Sequence, residues 1–458
     1  ICEAMVEAAM SEAARLGQLA HEETGFGFPL HKKLKNEFAS RNVWEYIKDT
    51  PTCGVLHHDK ERKIVEIGAP VGVIVALTPS TNPTSTAIFK SLISVKARNA
   101  VIVAPHPSAS KSTAEAVRVI REAGERAGMP AGLISCLENP TIQGTTELMS
   151  HHATSMILAT GGPGMVKAAH SQGKPALGVG PGNVPAYVDR SAHVVKAARM
   201  IVESKSFDCS TICATEQAVI ADRPIAERLK AEMQAHGAHW LTKEEADTLA
   251  AVMFRPNGMM VAGLVGRTPQ YIAKKAGIQV PETARILVAD LEGIGPDHPL
   301  SREKLTTVLG FMVVDGWREG CDRAIEMLTF GGDGHSIVVH SRDEEAVLTF
   351  GIEKPAFRIL VNTWGCLGGV GYTTGLAPSL TLAPGGVGGA AVSDNITLTH
   401  VLNVKRLAYH LRDAPEVAKL WGGRGSAPAS AQATSNDPGQ DAIDRIVAQV
   451  LAEMRGTS

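Results

Sequence analysis

The chain has little net charge and few aromatic residues: the formal charge is −2, and Phe, Trp and Tyr make up 4% of it. So small a charge imbalance supplies no field to hold a nucleic acid or an anionic membrane, and no partner of either kind is expected. No apolar run is long enough to span a bilayer, and no secretory signal is visible. The seven cysteines are odd in number and scattered, with no Cys-x-x-Cys pair and no zinc-type Cys/His spacing. That argues against a disulfide framework and a metal site, and for a reducing compartment. His57-His58 has no third ligand nearby and reads as part of a solvated hairpin. Ile1 falls in what reads as mid-helix, so the natural N-terminus, with any targeting peptide, is expected upstream.

What is abundant is glycine, 45 residues, among Val, Ala and Ile. That mixture suits an α/β fold with tight turns around a ligand, and 458 residues suit two or three domains. Near-continuous apolar runs, 70–79, 99–105 and 156–160, read as strands of a buried parallel sheet. Helical periodicity marks 1–20 as one surface helix, then 111–128, 223–236, 242–254 and 318–330. Gly161-Gly162-Pro163-Gly164 lies between a strand and a helix, a context in which backbone can approach a phosphate.

The stretch Ser204–Gln217 is small and polar up to Cys213, then enters the apolar strand 218–220. A thiol at the mouth of a strand can be reached by a substrate, although most free cysteines are inert core residues. Ser206-Phe207-Asp208, followed by Ile212-Cys213-Ala214-Thr215-Glu216-Gln217, resembles the active-site signature of CoA-acylating aldehyde dehydrogenases, with Cys213 as nucleophile. Cys209-Ser210 stands where that branch usually has Asn-Gly. Cys209 is then either a tolerated small residue or a resolving cysteine that could protect Cys213 as a reversible disulfide.

Further motifs fit the resemblance. Thr78-Pro79-Ser80-Thr81-Asn82-Pro83-Thr84 is similar to the family turn that supplies a side-chain amide to the oxyanion hole. This implies Asn82 as donor beside the Cys213 N–H, although a gapless match would put Thr81 there and Asn82 could merely cap the next helix. Thr78 and Pro79 count among the implied cofactor contacts. Pro105-His106-Pro107 replaces the usual lysine-containing turn, which implies an adenosine contact at His106 and Pro107. The resemblance places Gly161, Gly162 and Gly164 beside the dinucleotide pyrophosphate and Glu303 on the nicotinamide ribose. Hydrolytic members carry a water-activating glutamate where this chain has Gly178. Without it a thioester on Cys213 should hydrolyse slowly and pass to a thiol instead, in a glycine-lined cleft that would take NAD and CoA in turn. His335, in Gly334-His335-Ser336, reads as structural. Thr363, Trp364 and Cys366 are candidates for the aldehyde entrance.

The fold implied is that of the aldehyde dehydrogenases. A Rossmann-like cofactor domain (1–51 and 69–180) and an α/β catalytic domain (181–389) would be joined by a small β oligomerisation element (52–68 and 390–421). Residues 393–405 are similar to the C-terminal signature of the CoA-acylating branch, which implies a homodimer or homotetramer. Residues 422–440 are small, polar and rich in Pro and Gly, and read as a flexible linker. In 441–455, Ile443, Ile446, Val447, Val450, Leu451 and Met454 form one apolar helical stripe. Such a helix packs back on its own oligomer or docks elsewhere; linker and helix together resemble the encapsulation peptides of bacterial microcompartments, with a shell protein as partner. The expected activity is oxidation of a short-chain aldehyde, propionaldehyde before acetaldehyde, to its acyl-CoA, by a cytoplasmic enzyme inside such a compartment. A hydrolytic enzyme is the alternative.

Overall fold

The computed structural model describes residues 1–414 together with 444, 445 and 448. The expected linker, and all but those three residues of the expected terminal helix, lie outside the described residues. Two compact units divide the chain: Ile1–Lys48 with Gly72–His400, and Asp49–Val71 with the chain from Val401 onward.

In the smaller unit, β1 (Gly54–Asp59) and β2 (Ile64–Pro70) form an antiparallel hairpin around a charged turn. β15 (Leu402–Ala408) adds to β2, with Leu402 opposite Pro70 and Ala408 opposite Ile64. Leu407, Tyr409 and Leu411 stand exposed along this last segment.

The larger unit holds two parallel sheets. The first is built from β3 (Val73–Thr78), β4 (Ala100–Pro105), β5 (Ile134–Cys136), β6 (Thr154–Thr160) and β7 (Ala176–Val179), in the order β5-β4-β3-β6-β7. Ile74, Val75, Ala76 and Leu77 are all buried, which explains why β3 shows no polar alternation: helices cover both faces. The strand order reverses between β3 and β6, and a crevice opens at the carboxyl ends of strands at such a switch point. Beneath it Lys90, from the buried helix Pro83–Lys96, donates to Leu77 O at 2.6 Å and Leu158 O at 2.8 Å, so a carbonyl near the end of each strand is satisfied internally. Burial pushes its ammonium far below the usual lysine range.

The second sheet comprises β8 (Val184–Val188), β9 (Glu216–Asp222), β10 (Ala238–Trp240), β11 (Ile286–Asp290), β12 (Val308–Val314), β13 (Ile337–His340) and β14 (Ile359–Val361), in the order β10-β11-β12-β9-β8-β13-β14. Cys213, Glu303 and His335 each lie a few residues before a strand of this sheet: β9, β12 and β13. They converge at its amino end, facing the crevice of the first sheet. The architecture is thus the expected α/β fold with a Rossmann-like sheet, a catalytic sheet and a small β element. The segment that reads as one surface helix is two, Cys2–Ser11 and Ala13–Thr24, with Met5, Ala9, Leu16 and Ala20 buried.

Candidate active site

Cys213 is approached through an unusual turn. Asp208, Cys209 and Ser210 take φ values of 46°, 52° and 62°, three consecutive non-glycine residues in the left-handed region. Each costs about 1–2 kcal/mol there, so the surroundings must impose the turn. They do so through the buried Asp208 carboxylate. It accepts from Phe28 N at 2.8 Å, Thr211 Oγ1 at 2.8 Å, Lys32 Nζ at 3.1 Å, and Lys35 Nζ. The Asp208 N–H donates to His31 Nδ1 at 2.8 Å. Burial alone would raise this carboxyl, but Lys35, Lys32 and the hydrogen bonds outweigh it and hold it down at about 2.

Asn82 is tied to the same turn. Its Nδ2 donates to Thr211 O at 2.9 Å and Thr81 Oγ1 at 3.1 Å, while its Oδ1 accepts from Lys35 Nζ. Lys35 therefore bridges Asn82 and Asp208, and a ring of polar contacts fixes the amide against the nucleophile loop. Both amide hydrogens have acceptors, so the weaker bond, to the neighbouring Thr81 hydroxyl, is the one that would yield to an oxyanion.

The Cys213 thiol faces His335, with Nε2 3.2 Å from Sγ. The other ring nitrogen meets Ser336 Oγ at 3.0 Å, which lets Nδ1–H donate there and leaves Nε2 as acceptor. Burial pushes the imidazole down to about 3, with Arg358 acting in the same direction. Burial and the Glu303 carboxylate push the thiol up to about 12, opposed by Arg358. At rest the pair is thiol and neutral imidazole. Arg358 is itself held in place by Asn395, whose Oδ1 accepts from its Nε at 2.7 Å, and by the carbonyls of His335 and Ala383. The sequence reading gives His335 a structural place, and the fold adds that its Nε2 is a hydrogen-bond partner of the Cys213 thiol. The visible signal is a histidine between a glycine turn and a buried strand. Nothing in the sequence tells which strand start lies opposite β9.

Glu303 lines the same cleft. Its Oε1 accepts from Gly182 N at 2.7 Å, and burial raises the carboxyl to about 7. Gly182 lies directly on the nucleophile's backbone: a Cβ there would stand 2.0 Å from Cys213 O. The loop before β8, the nucleophile turn and Glu303 are therefore one packed unit.

Of the remaining sequence candidates, Pro79, His106, Gly161 and Gly162 line the cleft with Cys213, Asn82 and Glu303. Pro107 and Gly164 line an adjoining slot with Pro105, Thr145, Met149 and Met165. Thr78 is buried below the crevice, its Oγ1 without a partner among the described residues. Gly178 does not line the cleft: a side chain there would run toward His170 Nε2 and Val166 Cγ1, each 2.7 Å from a Cβ. Thr363 and Trp364 bond Thr373 and Glu203, and Cys366 is buried. From that loop it is Leu367 and Val370 that border a small apolar pocket beside Ile212, with Leu34, Phe38 and Phe207.

An adenine dinucleotide fits these surroundings. A Cβ on Gly162 or Gly180 would meet nothing within 4 Å, so both open onto free space, and Gly162 precedes the helix Pro163–His170. A pyrophosphate can approach the backbone there. The adjoining slot is mostly apolar, with Pro105, Pro107, Pro140, Ile142, Met149 and Met165 in its walls, a surface suited to an adenine ring. Among the described residues no group of three or more His, Cys, Asp or Glu is placed to hold a metal, and no helix is long and apolar enough to cross a membrane.

The sequence profile of the aldehyde dehydrogenase family matches residues 4–253. An aldehyde-alcohol dehydrogenase of Streptococcus pneumoniae is 42% identical over 87% of this chain, which spans about half, 46%, of that relative's length. The crystal structure of an acetylating aldehyde dehydrogenase from Geobacillus thermoglucosidasius is 49% identical, with 90% of this chain and 91% of that one aligned at a TM-score of 0.89. A propionaldehyde dehydrogenase from the fucose utilisation microcompartment of Clostridium phytofermentans is 27% identical, with 89% and 91% covered and a TM-score of 0.81. By profile, sequence identity and fold together, the chain belongs to the aldehyde dehydrogenase family.

Proposed function

We propose that this chain is a CoA-acylating aldehyde dehydrogenase, which oxidises a short-chain aldehyde to its acyl-CoA through a thioester on Cys213. The observation that carries this reading is the Cys213–His335 contact at 3.2 Å, combined with the filled space at Gly178, where hydrolytic relatives keep their base.

As the aldehyde enters, His335 Nε2 takes the thiol proton while sulfur adds to the carbonyl carbon. The imidazolium so formed is stabilised at Nδ1 by Ser336. Asn82 Nδ2 and the Cys213 N–H hold the developing oxyanion. Bound nicotinamide dinucleotide supplies a hydride acceptor. Glu303, kept in place by Gly182, orients the ribose next to that acceptor, and His106, Pro107 and the glycines at 161, 162 and 164 hold the rest. The acyl group then leaves Cys213 on the thiolate of CoA, and the reverse, acyl-CoA reduction, is equally allowed.

The pocket beside Ile212 supports a short apolar aldehyde. Leu34, Phe38, Phe207, Leu367, Val370 and Leu380 line it, and its cation, Lys35, is already paired with Asp208. Propionaldehyde is favoured over acetaldehyde. Homodimer or homotetramer formation through the β15 segment is supported by its exposed Leu407, Tyr409 and Leu411. Docking of residues 441–455 on a shell protein, and residence in a microcompartment, rest on the apolar stripe in the sequence and on the source of one similar structure.

The test is NADH formation from propionaldehyde and NAD⁺ with and without CoA, with the product identified by mass. Sustained turnover only with CoA, giving propionyl-CoA, is expected. Equal turnover without CoA, giving propionate, would mean that another group, Glu303 being the nearest candidate, activates water.

A further inference from the structure

Resting on the reading of the apolar pocket beside Ile212 as the aldehyde site, we propose that Glu216 is a positioning residue that sets how long an aldehyde this chain accepts. The pocket is continuous with the nucleophile's cleft: Ile212, Val370 and Leu380 line both. One of its walls, Leu367 and Val370, comes from the short helix Gly365–Gly369 and the residue after it. Five residues do not hold a helix by themselves, so this wall has to be held from outside.

It is held at three successive residues. Trp364 Nε1 donates to Glu203 Oε2 at 2.9 Å, Gly365 N to Glu216 Oε1 at 2.7 Å, and Cys366 N to Ser204 Oγ at 3.1 Å. Glu203 and Ser204 stand in the last turn of the helix Val194–Ser206, whereas Glu216 opens β9, just after Cys213. Glu216 thus ties the wall to the segment that carries the nucleophile. The two are in close contact: a Cβ at Gly365 would stand 2.7 Å from both Ala214 O and Glu216 Cδ, and one at Gly369 2.6 Å from Ala214 Cβ. Glu216 is wholly buried and lines neither the cleft nor the pocket, so it acts through the wall and touches no reacting atom. Burial raises its carboxyl to about 7, and Oε1 accepts from Gly365 N in either protonation state. With that bond gone, Leu367 and Val370 are free to withdraw, and the pocket admits further methylenes. One methylene in an apolar pocket changes kcat/KM by about 10–200-fold.

The experiment measures kcat/KM for propionaldehyde and for hexanal, with NAD⁺ and CoA, in wild type, Glu216→Leu, Glu216→Gln, Ser204→Ala and Val370→Ala. A melting curve and the rate of inactivation by iodoacetamide accompany each. The ratio of hexanal to propionaldehyde is internal to each preparation, so a smaller folded fraction does not move it. Leucine fills the space of Glu216 but accepts no hydrogen bond, and the ratio should rise about tenfold. Glutamine keeps an acceptor for Gly365 N and should leave the ratio at the wild-type value. Ser204→Ala loosens the next residue of the same wall and should shift the ratio in the direction of Glu216→Leu. Val370→Ala widens the pocket directly and should raise it too. If Val370→Ala shifts the ratio but a folded Glu216→Leu does not, the proposal is overturned and the pocket reading stands. Should Glu216→Leu fail to fold, an unchanged ratio in Ser204→Ala has the same force. An equal rise in Glu216→Gln, or a changed iodoacetamide rate with an unchanged ratio in Glu216→Leu, would also overturn it. The first would show that the hydrogen bond is not the cause, the second that Glu216 acts through Cys213. No shift in Val370→Ala would sink the pocket reading, and this proposal with it.

Discussion

His335 Nε2 lies 3.2 Å from Cys213 Sγ, and both groups are neutral at rest, the imidazole held at about 3 and the thiol at about 12. A reactive thiolate is thus not stored in the free protein. Its population should climb about tenfold per pH unit, because neither group titrates in between. Inactivation by iodoacetamide is expected to follow that slope from pH 7 to 9. A plateau below pH 9 would mean a preformed ion pair. Replacing His335 by Gln should lower aldehyde turnover by about 10²–10⁴-fold, the usual reach of a positioned base.

Ser210→Gly should stabilise the protein. Ser210 sits at φ 62° with a buried hydroxyl that has no partner among the described residues. Glycine removes about 1–2 kcal/mol of left-handed strain and the cost of the orphaned oxygen. Its freer unfolded state takes back about 0.5–1 kcal/mol. A gain of about 1 kcal/mol should appear as a higher urea midpoint. A lower midpoint would show that the turn is not strained.

That turn also marks how far the sequence can be read. The parallel sheets are legible because β3, β4 and β6 are apolar without alternation, which only two-sided burial explains. Cys213, Asn82, Glu303 and the glycine turn are legible from motif, and the fold brings them to one cleft. The ring Lys35–Asn82–Asp208 is not, since its members are joined only by folding and lysines in an early helix ordinarily face water. The contact of His335 with Cys213 is hidden for the same reason. The break at Glu12, where the backbone turns to φ −95° and ψ 0°, does not show because helical spacing continues across it.

Lys35→Met should damage both catalysis and acid stability. The Asp208 carboxyl is held at about 2 against an ordinary 3.8, so its ion pairs stabilise the fold above pH 4 and are lost as pH falls toward 2. With Lys35 gone, Lys32 is left as the cation on the buried carboxylate, beside the hydrogen bonds from Phe28 N and Thr211 Oγ1, at a cost of about 3 kcal/mol. The acid unfolding transition should move to higher pH. Asn82 also loses the partner of its Oδ1, and kcat should fall at least about tenfold from a misplaced oxyanion donor. An unchanged acid transition would show that Lys32 alone sets the carboxyl.

Gly178→Glu, the direct attempt to restore a hydrolytic base, should fail by itself. The new Cβ would stand 2.7 Å from both His170 Nε2 and Val166 Cγ1, inside the packing of the helix Pro163–His170 rather than in the cleft. Overpacking of this kind costs about 1–3 kcal/mol and displaces the helix that borders the glycine turn. The single variant should therefore be less stable, bind NADH more weakly and release no more free acid than wild type. Combining it with His170→Ala removes one of the two obstructing side chains. If the carboxylate then gains access to the thioester, the double variant should release free acid in the absence of CoA. Free acid from the single variant would show that position 178 already faces the thioester, and that the lack of a glutamate alone, not the side chains filling its place, separates acyl transfer from hydrolysis here.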